Sequence, residues 1–172
     1  MDKMENPEIF KGKYFEDKRG VFAPLQLTYD EGVLNKKWIQ SNISYNPKPY
    51  TLRGLHFQIG EYSQSKLIKV ISGKIIDFVV DIRPTSPDYL KVYKYEMMDG
   101  DELFVPKGFA HGFITLGFDV IVQYLVDNIY SPENEGSIFW KSFPEIVEEI
   151  SKYTEEKLIV ISNKDLLTKN FI

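Results

Sequence analysis

The chain has 172 residues, 43% of them apolar and 15% aromatic, and a net charge of −4 at pH 7 built from interspersed acidic and basic residues. That length fits one domain over residues 1–172 with a real core, and the apolar content excludes a disordered chain. The mixed charge excludes binding to nucleic acid through a general basic field, and the absence of cysteine removes disulfides, thiol nucleophiles and thiolate metal ligands.

In chain order, the opening Met1-Asp2-Lys3-Met4-Glu5-Asn6-Pro7 lacks the apolar core of a signal peptide. No later run approaches the roughly 20 apolar residues of a membrane span, so the expectation is a soluble, cytoplasmic protein. Residues 25–34 are a first helix candidate. Leu52-Arg53-Gly54-Leu55-His56-Phe57-Gln58 reads as strand. Residues 66–71 are apolar and β-branched, Ser72-Gly73 marks a turn, and residues 74–82 resume the strand pattern. Strands over 92–97 and 102–105 bracket the turn Asp99-Gly100-Asp101. Pro106-Lys107-Gly108-Phe109-Ala110-His111-Gly112-Phe113 reads as a tight connection into a short strand over 114–116, followed by another over 119–126. Residues 144–154, rich in Glu and Ile, form the second helix candidate. Many short strands at this spacing predict an all-β sandwich, jelly roll or barrel with a few short helices, rather than a parallel α/β sheet.

The chain holds two histidines. His56 stands among strand residues with Arg53 nearby and Lys66 ten positions on; imidazole titrates near neutrality and is the natural proton carrier. Alone, such a histidine is more often a core residue satisfied by one hydrogen bond. No Gly-x-Gly-x-x-Gly, phosphate-binding loop or Gly-x-Ser-x-Gly elbow is present. With two histidines and no His-x-His pair, the close ligand spacing of a metal site is missing, and metal chemistry is not expected. What remains is a set of His, Arg, Lys and Tyr. A His base opposed by a Tyr acid suits proton removal next to a carbonyl, with a cation stabilising the enolate.

Several longer segments carry a resemblance: Phe15-Glu16-Asp17-Lys18-Arg19-Gly20, the stretch from Arg53 to Gln58, Gly73-Lys74-Ile75-Ile76-Asp77-Phe78-Val79-Val80-Asp81-Ile82-Arg83, the stretch from Val105 to Phe113, Tyr130-Ser131-Pro132 and Ser162-Asn163-Lys164-Asp165. In this order and over nearly the whole chain, they resemble the dTDP-4-dehydrorhamnose 3,5-epimerases, cupin-fold enzymes acting on nucleotide-linked 4-keto sugars. The resemblance implies a cupin-type jelly roll working without cofactor or metal. It implies that His56 is the catalytic base, Asp165 the carboxylate paired with it, Tyr124 the acid on the opposite face and Lys66 the cation at the enolate oxygen. It further implies that Arg53 and Arg19 face the diphosphate, Arg19 from a strand region reaching into a neighbouring subunit of a homodimer. Gln40 and Asn42 would line the nucleotide side, and His111 would contact a phosphate or hydroxyl. Asp77, Asp81 and Arg83 would form a structural ion-pair network nearby.

Two departures fall on the expected nucleotide side. An aromatic often precedes the Tyr of the Tyr-Ser-Pro motif, and here that position is Ile129; where the family reads Arg-Gly-x-Phe-x-Glu, this chain reads Arg19-Gly20-Val21-Phe22-Ala23-Pro24. They point to retained chemistry on a different nucleotide or sugar, with GDP-linked 4-keto-6-deoxy sugars, heptoses included, as candidates. The partner expected is thus a nucleotide-diphosphate 4-keto sugar, dTDP- or GDP-linked, inverted at C3, C5 or both. Competing readings are a non-catalytic nucleotide-sugar binding module, a 3,4-ketoisomerase, which the intact Arg53-to-Gln58 motif with Asp165 argues against, and a metal-dependent cupin oxygenase.

Overall fold

Alternating short strands fold here into two facing sheets, antiparallel except where β13 joins β5. The computed structural model describes residues 6–13, 15–22 and 36–168; the helix candidate over 25–34 and Pro24 lie outside them. The strands are β1 (Glu8–Phe10), β2 (Phe15–Asp17), β3 (Gly20–Phe22), β4 (Gln40–Asn46), β5 (Thr51–Gln58), β6 (Lys66–Ser72), β7 (Lys74–Asp81), β8 (Val92–Met98), β9 (Glu102–Val105), β10 (Phe109–Thr115), β11 (Val120–Val126), β12 (Glu135–Ser137) and β13 (Val160–Ile161). One sheet has the order β1-β9-β6-β11-β4. The other has the order β12-β5-β10-β7-β8, with β13 alongside β5. Pairings are nested: β4 with β11, β5 with β10, β6 with β9 and β7 with β8. A long hairpin that rolls up on itself produces this nesting, and the fold is a cupin-type jelly roll.

The core lies on both faces of the second sheet. Between the sheets, Ile68, Val70, Leu103, Val120 and Val122 of the first pack on Ile75, Val79, Met97, Phe109 and Phe113 of the second. On the outer face, Leu52, Phe78, Ala110 and Ile114 are covered by Ile138, Trp140 and Phe143 and by helix α1 (Pro144–Ser151). Pro144 starts α1 where its missing N–H is harmless, and Ile146 and Ile150, one turn apart, put both apolar groups on the buried side.

Coverage on both faces explains where the sequence expectation fell short. β10 begins at Phe109 rather than 114, because Gly108 completes the turn at a φ of +85° and Phe109 already pairs with Asp81 of β7. All seven residues of β10 are buried, so it shows none of the alternation that marks a half-exposed strand. The other strand expectations and the second helix agree with the structure within a few residues at their ends. Hairpin β2–β3 pairs with neither main sheet among the described residues.

Candidate active site

Arg53 and His56 are three residues apart on β5, and strict strand alternation would send them to opposite faces. A bulge brings them together: His56 pairs with His111 and Arg53 with Phe113, so Gly54 and Leu55 oppose Gly112 alone. Backbones touch at this point. Gly54 has a φ of +115°, and a Cβ there would lie 2.6 Å from the Gly112 Cα; a Cβ on Gly112 would lie 2.5 Å from the Arg53 carbonyl oxygen. Glycine is needed at both positions.

The partner of His56 arrives from the far end of the chain. Strand β13 runs parallel to β5, pairing Val160 with Thr51 and Ile161 with Leu52, and delivers the single-turn helix α2 (Asn163–Leu166). Ser162 caps that turn, its Oγ accepting the Asp165 N–H at 3.1 Å. Asp165 is 4% exposed; its Oδ1 lies 2.7 Å from His56 Nε2 and its Oδ2 accepts the Gly54 N–H at 3.3 Å. Burial works to raise the Asp165 carboxyl, but the His56 hydrogen bond and charge and the Gly54 N–H outweigh it and hold the group below the usual carboxylate range. An ionised carboxylate only accepts. His56 Nε2 therefore carries the proton that Asp165 receives, and Nδ1 is the basic atom.

The opposite wall comes from the first sheet. Its inner face presents Gln40 opposite Val126 and Asn42 opposite Tyr124, and beside them Lys66 opposite Val126. A cavity of about 640 Å³ between the walls is lined by Arg53, His56, Lys66, His111, Tyr124 and Asp165, with Ser44, Thr51 and Ser162. A second lobe of about 300 Å³ shares Lys66 and Tyr124 and is bounded by Gln40, Asn42, Gln58, Gln64, Tyr130 and Glu135. Burial lowers the Lys66 ammonium to about 8 against the pull of the Asp77 and Glu135 carboxylates. Burial raises the Tyr124 phenol, which Arg53 opposes and Glu135 reinforces, so Tyr124 holds its proton at neutral pH. His111 Nε2 lies 2.8 Å from Asp77 Oδ2, and burial raises Asp77 while His111 and Lys66 pull it down.

Eight of the nine catalytic and substrate-binding candidates read from the sequence thus line this two-lobed cleft. Arg19 does not: it sits beside hairpin β2–β3, ion-paired with Asp17 and exposed, and borders neither lobe in this chain. Asp81 and Arg83 do pair, at 2.6 Å with Ser86 joining, whereas Asp77 belongs with His111 rather than with that network. Glu135 and Lys164 were missed. They form an ion pair, Tyr130 Oη donates to Glu135 Oε2 at 3.0 Å, and each lines one lobe. Lys164 adjoins Asp165 and Glu135 follows the Tyr-Ser-Pro motif by three residues, so proximity to those motifs was the available signal. No group of three or more His, Asp or Glu among the described residues could hold a metal ion, and no helix among them is long and apolar enough to cross a membrane.

A jelly roll with a cleft between its two sheets, walled by a histidine–carboxylate pair on one side and a tyrosine and a lysine on the other, has the architecture of a cupin enzyme. The profile described as dTDP-4-dehydrorhamnose 3,5-epimerase matches residues 2–171, and the chain belongs to that family. It is therefore an isomerase, an epimerase of carbohydrates. The Salmonella typhimurium (strain LT2) dTDP-4-dehydrorhamnose 3,5-epimerase is 40% identical over 137 residues, covering 77% of this chain and 74% of that one. Among solved structures, the Bacillus anthracis str. Ames dTDP-4-dehydrorhamnose 3,5-epimerase with TDP and PPi bound aligns with a TM-score of 0.77 at 32% identity, covering 96% of this chain and 94% of the other. The Legionella pneumophila Philadelphia 1 dTDP-6-deoxy-D-glucose-3,5-epimerase in complex with dTDP-4-keto-L-rhamnose aligns with a TM-score of 0.80 at 28% identity, covering 95% and 87%.

Proposed function

We propose that this enzyme inverts C3 and C5 of a nucleotide-diphosphate-linked 4-keto-6-deoxy sugar by proton transfer through an enolate. The observation that carries the reading is the placement of the His56–Asp165 pair on one wall of the cleft and of Tyr124 with Lys66 on the other. A C4 carbonyl acidifies the hydrogens on both its neighbours. His56 Nδ1 takes the proton from C3, the C–H electrons move onto the C4 oxygen, and the Lys66 ammonium stabilises the charge that develops there. Asp165 stabilises the imidazolium, as a carboxylate behind a histidine base does. Tyr124 then returns a proton to C3 from the opposite face, the enolate collapses to the ketone, and solvent restores both groups before the cycle repeats at C5. Separate agents for removal and return, on opposite faces of the ring, are what inversion of a centre requires.

The anionic end of the substrate falls to Arg53, with His111 nearby, and the nucleotide to the second lobe with Gln40 and Asn42. The relatives whose names specify a nucleotide specify dTDP, which makes dTDP the first choice. The GDP-linked reading, heptoses included, retains one described feature, Ile129, which is 57% exposed beside the Tyr130 of that lobe. Arg19, remote from the cleft of its own chain, fits a role in the site of a second copy within a homodimer. The test is incubation with dTDP- and GDP-linked 4-keto-6-deoxy sugars, with ring coupling constants of the products read by NMR. Conversion to the C3- and C5-inverted product by the wild type, abolished by His56→Ala, is the expected result. Binding without conversion would replace the reading with that of a non-catalytic nucleotide-sugar module, and a product with its carbonyl moved to C3 would make it a ketoisomerase.

A further inference from the structure

Arg53 is held from behind by a residue outside the motif that contains it. Asn46, the last residue of β4, is fully buried. Its amide nitrogen donates to the Val120 carbonyl at 3.0 Å and to the Ser44 carbonyl at 3.2 Å. Its amide oxygen accepts the Arg53 Nε–H at 2.7 Å and the Ser44 hydroxyl at 3.2 Å. Orientation of this amide leaves no choice: turned over, its nitrogen would face the Arg53 Nε–H and its oxygen two carbonyls. Val120 is the β11 partner of Asn46 in the sheet register, so the amide is anchored to the first sheet while it grips an arginine of the second.

A guanidinium binds an oxyanion pair in two ways, along the Nε/Nη edge or end-on through both Nη groups. Asn46 occupies Nε, and among the described residues the Nη groups of Arg53 have no acceptor while the side chain lines the main cavity. We propose that Asn46 is a positioning residue that commits Arg53 to receive the substrate's diphosphate end-on through its two Nη groups. This rests on the diphosphate reading given above. Asn46 touches no substrate and acts through Arg53, so its effect belongs in nucleotide binding and not in proton transfer.

A double-mutant cycle tests it, with dTDP and GDP as calorimetric probes against wild type, Asn46→Ala, Arg53→Ala and the double variant, and with kcat and KM measured in parallel. Losing a hydrogen bond to a charged group makes Asn46→Ala bind the preferred nucleotide about tenfold more weakly, with KM rising in step and kcat retained. In the Arg53→Ala background the same substitution has no further effect, because there is no guanidinium left to position. Asn46→Ser, whose hydroxyl is too short to reach either Nε or the β11 carbonyl but keeps a polar group in the buried position, repeats the cycle should the alanine variant melt early. Additive losses, or unchanged nucleotide affinity in the serine and alanine variants while Arg53→Ala binds more weakly, overturn the proposal alone. Wild type that binds neither nucleotide, or Arg53→Ala that binds as wild type does, removes the diphosphate reading and the proposal with it.

Discussion

At the scale of single residues, protonation states organise the site. Asp165 is ionised and acceptor-only, which fixes the proton of His56 on Nε2. In Asp165→Asn, the amide NH₂ can face Nε2 and draw the imidazole proton to Nδ1, blocking the basic atom. We expect kcat to fall by about 10²–10⁴, the range of a positioned acid or base, with nucleotide affinity unchanged; an Asp165→Asn enzyme within about threefold of wild type would contradict the assignment of the base. Lys66 gives a pH prediction. Its ammonium, lowered to about 8 by burial, must be charged to stabilise an enolate, so the rate falls as pH rises through about 8. Stability moves the other way. Between about 8 and the ordinary 10.5 the unfolded chain binds more protons at this site than the folded one, so folding becomes more favourable with rising pH across that window. A pH–rate profile alongside chemical denaturation at pH 7, 8 and 9 separates loss of activity from loss of fold, and Lys66→Met should abolish the alkaline limb together with most of the activity.

At the scale of elements, the bulge in β5 turns an ordinary strand into one wall of the cleft. Arg53 and His56 share a face only because Gly54 and Leu55 oppose Gly112 alone, and the backbones there approach too closely for any Cβ. Gly112→Ala must push β5 from β10; overpacking of this kind costs about 1–3 kcal/mol, read as a lower denaturation midpoint, and it should depress activity more than the partial unfolding explains. A midpoint and kcat both equal to wild type would mean the contact is dispensable. Much of this element was legible in the sequence. The Arg53-to-Gln58 segment reads as strand, and a glycine within a strand is a known sign of a bulge. What alternation could not reveal was which residues the bulge brings to one face. Nor could it locate the start of β10, buried on both faces and therefore without period. Asp165 was reached through its motif alone: no local pattern connects it to a histidine 109 residues away, a connection made by the parallel pairing of β13 with β5. Asn46 left no trace in the sequence at all, since its importance lies in where four hydrogen bonds converge.

At the scale of the whole molecule, the jelly roll brings β4, β6 and β11 of one sheet over β5 and β10 of the other, so the proposed acid, Tyr124, and the proposed base, His56, stand on different sheets and face the cleft from different sides. In the homodimer we propose, Arg19 would extend the same logic to a second chain. If it completes a neighbour's site, mixing Arg19→Ala with His56→Ala protein creates dimers with one intact site, and random exchange should restore about a quarter of wild-type activity. No recovery, from samples that light scattering finds dimeric, would remove Arg19 from the site. An enzyme that breaks and remakes carbon–hydrogen bonds on both sides of a ketone exchanges those hydrogens with solvent, which the reaction in D₂O, followed by mass spectrometry and NMR, reads at each carbon. Deuterium at both C3 and C5 in the wild type, and at neither in His56→Ala, is the predicted result; a product or recovered substrate without deuterium, from protein that binds the nucleotide sugar, would contradict it.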